Sequence, residues 1–247
     1  MKKIYFQNSK GQILCGTQSD VGSDLIVIIC HGLGASKDHV QYVSFQQELN
    51  EKGISTLRID LLGHGESAGE YNDLTLTETI DDILSAKHEL EKQGYTQIGF
   101  IGSSFGGVGG IMAASIEPFK FLTLISPPTY YDIHEMVKSS IYVLRELMKV
   151  NKKTTKNKAK INMKFFKDYG SHDSYAAAEK ILEPVLIIHG DEDKIVPLVK
   201  SIELHKRIKN SKMKILKGAD HHYTDAQERL TKEIVNFAKE QYKENKQ

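Results

Sequence analysis

The sequence predicts an α/β protein with a mostly parallel, twisted sheet of about eight strands, helices on both faces and a small helical cap insertion. Three observations lead there. Short, strongly apolar runs recur along the chain and alternate with longer segments of helical periodicity. Most of these runs show no alternation of polar and apolar residues, as expected of strands covered on both faces. Three of the turns that follow them carry a serine, an aspartate or a histidine, and in a parallel sheet such turns meet at the carboxyl edge, where ligand crevices form.

The elements follow in order. KIYFQ and QILCGT, joined by the turn-like NSKG, read as an opening antiparallel hairpin. Central strands are expected at LIVIIC (25–30), ISTLRI (54–59), QIGFIG (97–102), FLTLIS (121–126), VLIIHG (185–190) and MKILKG (213–218). Helices are expected at YVSFQQELNEKG, at TLTETIDDILSAKHELEKQG with its apolar spacing of three to four, and at PLVKSIELHKRIKN, whose proline suits a first turn. A last helix, TDAQERLTKEIVNFAKEQYKENKQ, runs into a charged tail. More than fifty residues separate FLTLISPP from EPVLIIHG, too many for a simple crossover. They are expected to form the cap, over 128–182, within a single domain spanning 1–247. Its basic run, NKKTTKNKAKINMKFFKDYG, reads as a solvated face rather than an anion trap.

Composition narrows the classes of function. With 40% hydrophobic and 26% charged residues and a net charge of +1, the profile is that of a soluble globular protein and does not indicate nucleic-acid binding. MKKIYFQNSKGQILCG lacks the apolar run of a secretion signal, and LIVIIC and FLTLIS are far too short to span a bilayer. The expectation is a cytoplasmic protein without integral membrane association, its oligomeric state open and a homodimer allowed. Two cysteines, Cys15 and Cys30, suit neither a disulfide framework nor a metal site and read as small buried fillers.

The chemistry begins at IGSSFGG, where two serines stand together. A serine at the apex of a sharp strand-to-helix turn sits in a strained conformation with its hydroxyl exposed, and the residues two before and two after it face crowded backbone. For Ser104 these are Gly102 and Gly106; for Ser103 they are Ile101 and Phe105, too large for the space. The spacing selects Ser104 and leaves Ser103 as a filler. No phosphate-loop pattern is present in this stretch.

A serine needs a base, and the base needs a partner to hold its tautomer. HGDEDKIVP offers Asp191 and Asp193, and GADHHYTD offers His221 and His222, each after a strand and in the order serine, acid, histidine. Local physics does not separate the members of either pair. The spacings of His31, His64, His189 and His221 match no zinc pattern, so no metal and no cofactor are expected.

Taken together, HGLGAS, DLLGHGES, GSSFGG, GDEDKIVP and GADHHYTD resemble, in order, the oxyanion loop, the D-x-x-G-H-G-x-S loop, the nucleophile elbow, the acid loop and the histidine loop of serine α/β-hydrolases. The resemblance covers nearly the whole chain apart from the cap. It is strongest to bacterial cinnamoyl and feruloyl esterases, with monoglyceride-lipase-like carboxylesterases close behind. It implies a catalytic triad of Ser104, Asp193 and His221, with Asp191 a turn or capping residue and His222 a neighbour. It also implies an oxyanion hole of the Leu33 and Phe105 amides, whose side chains wall the acyl site. His31, Gly32, Gly102 and Gly106 are implied as structural supports, and His64 with Asp60 as an ordering pair for the GHG loop.

The implied activity is hydrolysis of a small-molecule carboxylic ester through an acyl-enzyme, with a hydroxycinnamate ester as one candidate. The alternatives are a lysophospholipase, monoacylglycerol lipase or thioesterase acting on longer acyl chains, or a ligand-binding homologue without turnover. Cap tyrosines Tyr130, Tyr131, Tyr142, Tyr169 and Tyr175 are candidates to stack on an aromatic acyl group or to pack within the cap.

Overall fold

The structure is a computed structural model and describes residues 1–129 and 163–243. The opening hairpin forms as expected, with β1 (Lys2–Gln7) antiparallel to β2 (Ile13–Ser19). The chain continues through β3 (Leu25–Cys30), α1 (Val40–Glu51), β4 (Ser55–Ile59), α2 (Leu76–Lys92), β5 (Gln97–Ser103), α3 (Phe105–Ala114) and β6 (Leu122–Ile125). After residues 130–162 come α4 (Met163–Gly170), α5 (Ser174–Ala178), β7 (Val185–Gly190), α6 (Leu198–Arg207), β8 (Ser211–Leu216) and α7 (Gln227–Lys243).

The strands form one sheet in the order β1-β2-β4-β3-β5-β6-β7-β8. Pairing is antiparallel as far as β2 with β4 and parallel from β4 onward. β3 lies between β4 and β5: the crossover through α1 runs from β3 to one side, the next through α2 returns past it to the other, and the carboxyl edge at such a switch point is where ligand crevices form. The loops after β3 and β5 flank it.

The two faces of the sheet are covered separately, which is why the inner strands carry apolar residues throughout. Leu25, Val27 and Ile29 of β3 pack with Tyr42, Phe45 and Leu49 of α1 and with Leu230 and Ile234 of α7. Ile26, Ile28 and Cys30 belong to the opposite core with Ile83 and Leu90 of α2, Val108 and Ile111 of α3, and Leu204 of α6. Cys15 and Cys30 are both buried free thiols, as their reading as fillers anticipated.

Two expectations shift. The last strand occupies 211–216 rather than 213–218, and it is not buried on both faces: Lys212, Lys214 and Ile215 are exposed because β8 ends the sheet and pairs with β7 alone. Pro197 stands just before α6, in extended backbone at φ −61° and ψ 133°, rather than within the first turn. Of the expected cap, 130–162, with Tyr130, Tyr131 and Tyr142, lies outside the described residues. The described end of that interval packs onto the body of the protein, since Tyr169, Ala177, Ala178 and Ile181 share a core with α2 and α3. Asp168 of α4 accepts from the Thr77 amide at 3.0 Å, giving a partner to one of the free N–H groups in the first turn of α2. Among the described residues no helix is long and apolar enough to cross a membrane.

Candidate active site

Ser104 lies at the turn from β5 into α3 with φ 50°, in the left-handed region that a side chain occupies only under strain. Its amide donates to the Ile125 carbonyl at 2.7 Å, pinning the turn to the end of β6. The two flanking glycines are required by contact. A Cβ on Gly102 would lie 2.6 Å from the Gly106 carbonyl oxygen, and one on Gly106 would lie 2.4 Å from the His31 carbonyl oxygen.

The structure brings Ser104, His221 and Asp193 together across 117 residues of sequence. Ser104 Oγ is 3.1 Å from His221 Nε2, and His221 Nδ1 is 2.6 Å from Asp193 Oδ2. The carboxylate accepts, so Nδ1 carries the proton and Nε2 is free to accept from the serine. Asp193 is fully buried, and its Oδ1 accepts from the amides of Ile195 and Val196, each at 2.8 Å. Burial favours the neutral acid, but hydrogen bonds from His189, His221 and the Val196 amide win, holding its pKa far below the usual carboxylate range. The ion is therefore present throughout the working pH range of an esterase.

The other member of each pair is placed elsewhere. Asp191 accepts from the Gly218 amide at 2.6 Å, bracing the start of the loop that carries His221. His222 is exposed, its ring edge-on to His221 at 5.7 Å. Ser103 does more than fill space, because its side chain hydrogen-bonds the Tyr42 phenol, which also accepts from the Gly32 amide at 3.2 Å. Tyr42 thus ties the nucleophile turn to the loop after β3. Nothing local in the α1 sequence marks it, since an aromatic at a core position reads only as packing.

That loop passes close to Ser104: a Cβ on Gly32 would lie 3.2 Å from Ser104 Cβ. Two buried histidines hold it. His31 Nδ1 donates to the Gly32 carbonyl at 2.7 Å and Nε2 accepts from the Leu61 amide at 3.1 Å; burial, with the His64 ring beside it, pushes its pKa down to about 3. His64, also lowered by burial, donates to the Leu62 carbonyl and accepts from the Gly34 amide at 3.1 Å. Each neutral imidazole has one donor and one acceptor nitrogen, and each uses both to join two loops.

Asp60 accepts from the Lys37 and Glu66 amides at 2.7 and 2.9 Å, and so orders the loops around it. Cys15, Asp60 and Glu66 form a group whose potential metal-donor atoms lie within 4.8 Å of one another. The Lys37 ammonium is already 2.9 Å from Asp60 and 2.7 Å from Glu66, so these carboxylates have a resident cation and act as a brace.

Phe105 follows the nucleophile as the first residue of α3, where a helix leaves its N–H without an intrahelical partner. Its ring is covered among the described residues. It is 3% exposed, packs tilted against Phe165 and stacks on Tyr169, both of α4, at centroid distances of 5.3 and 6.2 Å. Tyr169 also donates to the Pro128 carbonyl, while Tyr175 lies 4.3 Å beneath the Arg207 guanidinium of α6. Leu33 is partly buried against the same core as Phe105.

Comparison with known proteins agrees with this fold. Residues 41–245 match the prolyl oligopeptidase family. The chain is 26% identical over 220 residues to the putative esterase YitV of Bacillus subtilis, covering 83% of this chain and 78% of that protein. It is 24% identical over 205 residues to the mouse mitochondrial palmitoyl-protein thioesterase ABHD10, covering 79% and 68%. The structure of Est1E from Butyrivibrio proteoclasticus with bound ferulic acid superposes with a TM-score of 0.81 at 26% identity, covering 96% of this chain and 98% of that one. With Ser104, Asp193 and His221 all inside the matched span, the chain belongs to the prolyl oligopeptidase family and has the α/β-hydrolase fold.

Proposed function

We propose that Ser104, His221 and Asp193 hydrolyse carboxylic esters through an acyl-enzyme intermediate. The observation that carries this reading is the continuous hydrogen-bonded line from Ser104 Oγ through His221 to a buried, ionised Asp193. Ser104 attacks the ester carbonyl as His221 Nε2 takes its proton, and Asp193 stabilises the imidazolium that forms. The amides of Leu33 and Phe105 receive the developing oxyanion, a contribution of about 3 kcal/mol for each such donor. His221 then protonates the departing alcohol, and the acyl-enzyme is cleaved by a water that the same imidazole deprotonates.

For the acyl group, the reading is a compact, aromatic-tolerant ester of the hydroxycinnamate class. Supporting it is the likeness to Est1E, whose structure holds ferulic acid. A second reading, cleavage of a longer-chain thioester, is favoured by the relative named as a palmitoyl-protein thioesterase.

Turnover of p-nitrophenyl acetate and butyrate tests the chemistry. Ser104→Ala is expected to lower kcat by about a million-fold, and an alanine enzyme with full activity overturns the assignment. Profiling methyl ferulate against p-nitrophenyl esters of increasing length and palmitoyl-CoA decides the acyl class. Ferulate cleavage supports the first reading; long-chain preference without ferulate cleavage supports the second.

A further inference from the structure

Asp193 has a donor that the serine–histidine–acid arrangement does not use. His189, at the end of β7, is fully buried, and its Nε2 lies 3.2 Å from Asp193 Oδ2, the same oxygen that faces His221. The tautomer follows from the partners. Nε2 also lies 3.0 Å from the Val196 carbonyl, and neither that carbonyl nor an ionised carboxylate can donate, so Nε2 carries the proton. Nδ1 lies 2.7 Å from the hydroxyl of Ser201, buried on α6, which donates to it in the neutral imidazole. The one Nε2–H thus lies between the Val196 carbonyl at 3.0 Å and Asp193 Oδ2 at 3.2 Å, and through it a line of polar contacts runs from Ser201 by way of His189, Asp193 and His221 to Ser104.

Resting on the catalytic assignment above, we infer that His189 is a positioning residue of the hydrolysis, holding the Asp193 carboxylate through an Nε2–H that the Ser201 hydroxyl keeps in place. With Oδ1 fixed by two backbone amides and Oδ2 by His189, the carboxylate cannot rotate, and Oδ2 stays aimed at His221 Nδ1. A neutral donor suits this task. It restrains the carboxylate without neutralising the charge that stabilises the imidazolium, as an arginine in its place would do. The other titratable groups facing the pair are Tyr223, whose phenol is bonded to Ser126 Oγ at 2.8 Å, and His222 beside His221.

The test is the pH profile of p-nitrophenyl butyrate hydrolysis from about pH 5 to about pH 9. It compares wild type with His189→Leu, His189→Gln and Ser201→Ala, using Ser104→Ala as the blank. Losing the donor frees the carboxylate and makes it more basic, so it binds the imidazolium more tightly. His189→Leu is expected to lower kcat about tenfold with KM within about twofold, and to move the acid limb of kcat/KM up by ~0.5 pH unit. Glutamine, whose amide N–H reaches toward the same oxygen, restores most of both. Ser201→Ala shifts the limb the same way by less, and it decides the matter if the leucine variant does not fold, since it removes only a hydroxyl. Acid limbs of His189→Leu and Ser201→Ala that superimpose on wild type overturn the inference, whatever their stability, as does glutamine performing no better than leucine. Wild-type turnover by Ser104→Ala instead overturns the parent assignment.

Discussion

Gly106 shows how tightly the nucleophile turn is built. The carbonyl of His31 occupies the space a Cβ would need, at 2.4 Å, and it cannot retreat because the His31 ring is bonded to Gly32 and Leu61. Gly106→Ala is therefore expected to cost about 3 kcal/mol of stability and to displace the loop that carries the Leu33 amide, lowering kcat along with Tm. Thermal unfolding beside turnover of p-nitrophenyl acetate checks both; a variant with wild-type Tm and kcat shows that the turn has slack. At the same scale the two paired choices separate only by distance. Asp193 reaches His221 and Asp191 reaches a backbone amide, although the two acids stand two residues apart on one loop.

Among the elements, α2 supplies a second buried carboxylate with the opposite character. Asp82 accepts from the Leu62 amide at 2.7 Å and from the Asn8 side chain at 3.2 Å, linking α2 to the loops after β1 and β4. Burial, with Asp81 and Glu78 adding to it, pushes its pKa up to about 7 against the two hydrogen bonds. Because the folded-state value lies above the ordinary 3.8, the folded protein holds a proton that the unfolded chain has released. The stabilisation is complete below about pH 4 and is lost as pH rises through about 7. Asp82→Asn keeps an acceptor for Leu62 and cannot ionise. Its Tm is expected to match wild type near pH 4 and to exceed it by about 5 °C at pH 8, measured by calorimetry or circular dichroism. Equal Tm values at both pH values overturn this account. The element scale also explains Tyr42: α1 covers one face of the sheet, and one of its core rings carries a hydroxyl that reaches both the Gly32 amide and Ser103.

For the molecule as a whole, the sheet order does what no single motif does. Because β3 lies between β4 and β5, the Leu33 loop and the Ser104 turn leave adjacent strands at the same edge. Parallel pairing through β6, β7 and β8 then delivers Asp193 and His221 to that edge as well. Much of this was legible beforehand, since apolar runs without alternation mark strands covered on both faces and glycines at fixed spacing mark the elbow. β8 was misjudged because its apolar residues, Met213 and Ile215, alternate with lysines that are exposed on an edge strand, a position that only the pairing reveals. The cover on the Phe105 ring is not legible locally, because α4 reaches it from 60 residues away in the chain.

What the sequence determined by itself was the local: strand and helix succession, the selection of Ser104 over Ser103, and the order of the three chemical loops. Those follow from backbone sterics and periodicity, which act over a few residues. Only the tertiary structure decided which aspartate and which histidine meet, that Tyr42 and His189 support them, and that a lysine fills the Asp60 and Glu66 cluster. Hydrogen bonds and ion pairs act over about 3 Å. Groups so far apart in the chain come within that range only when the sheet has set its register.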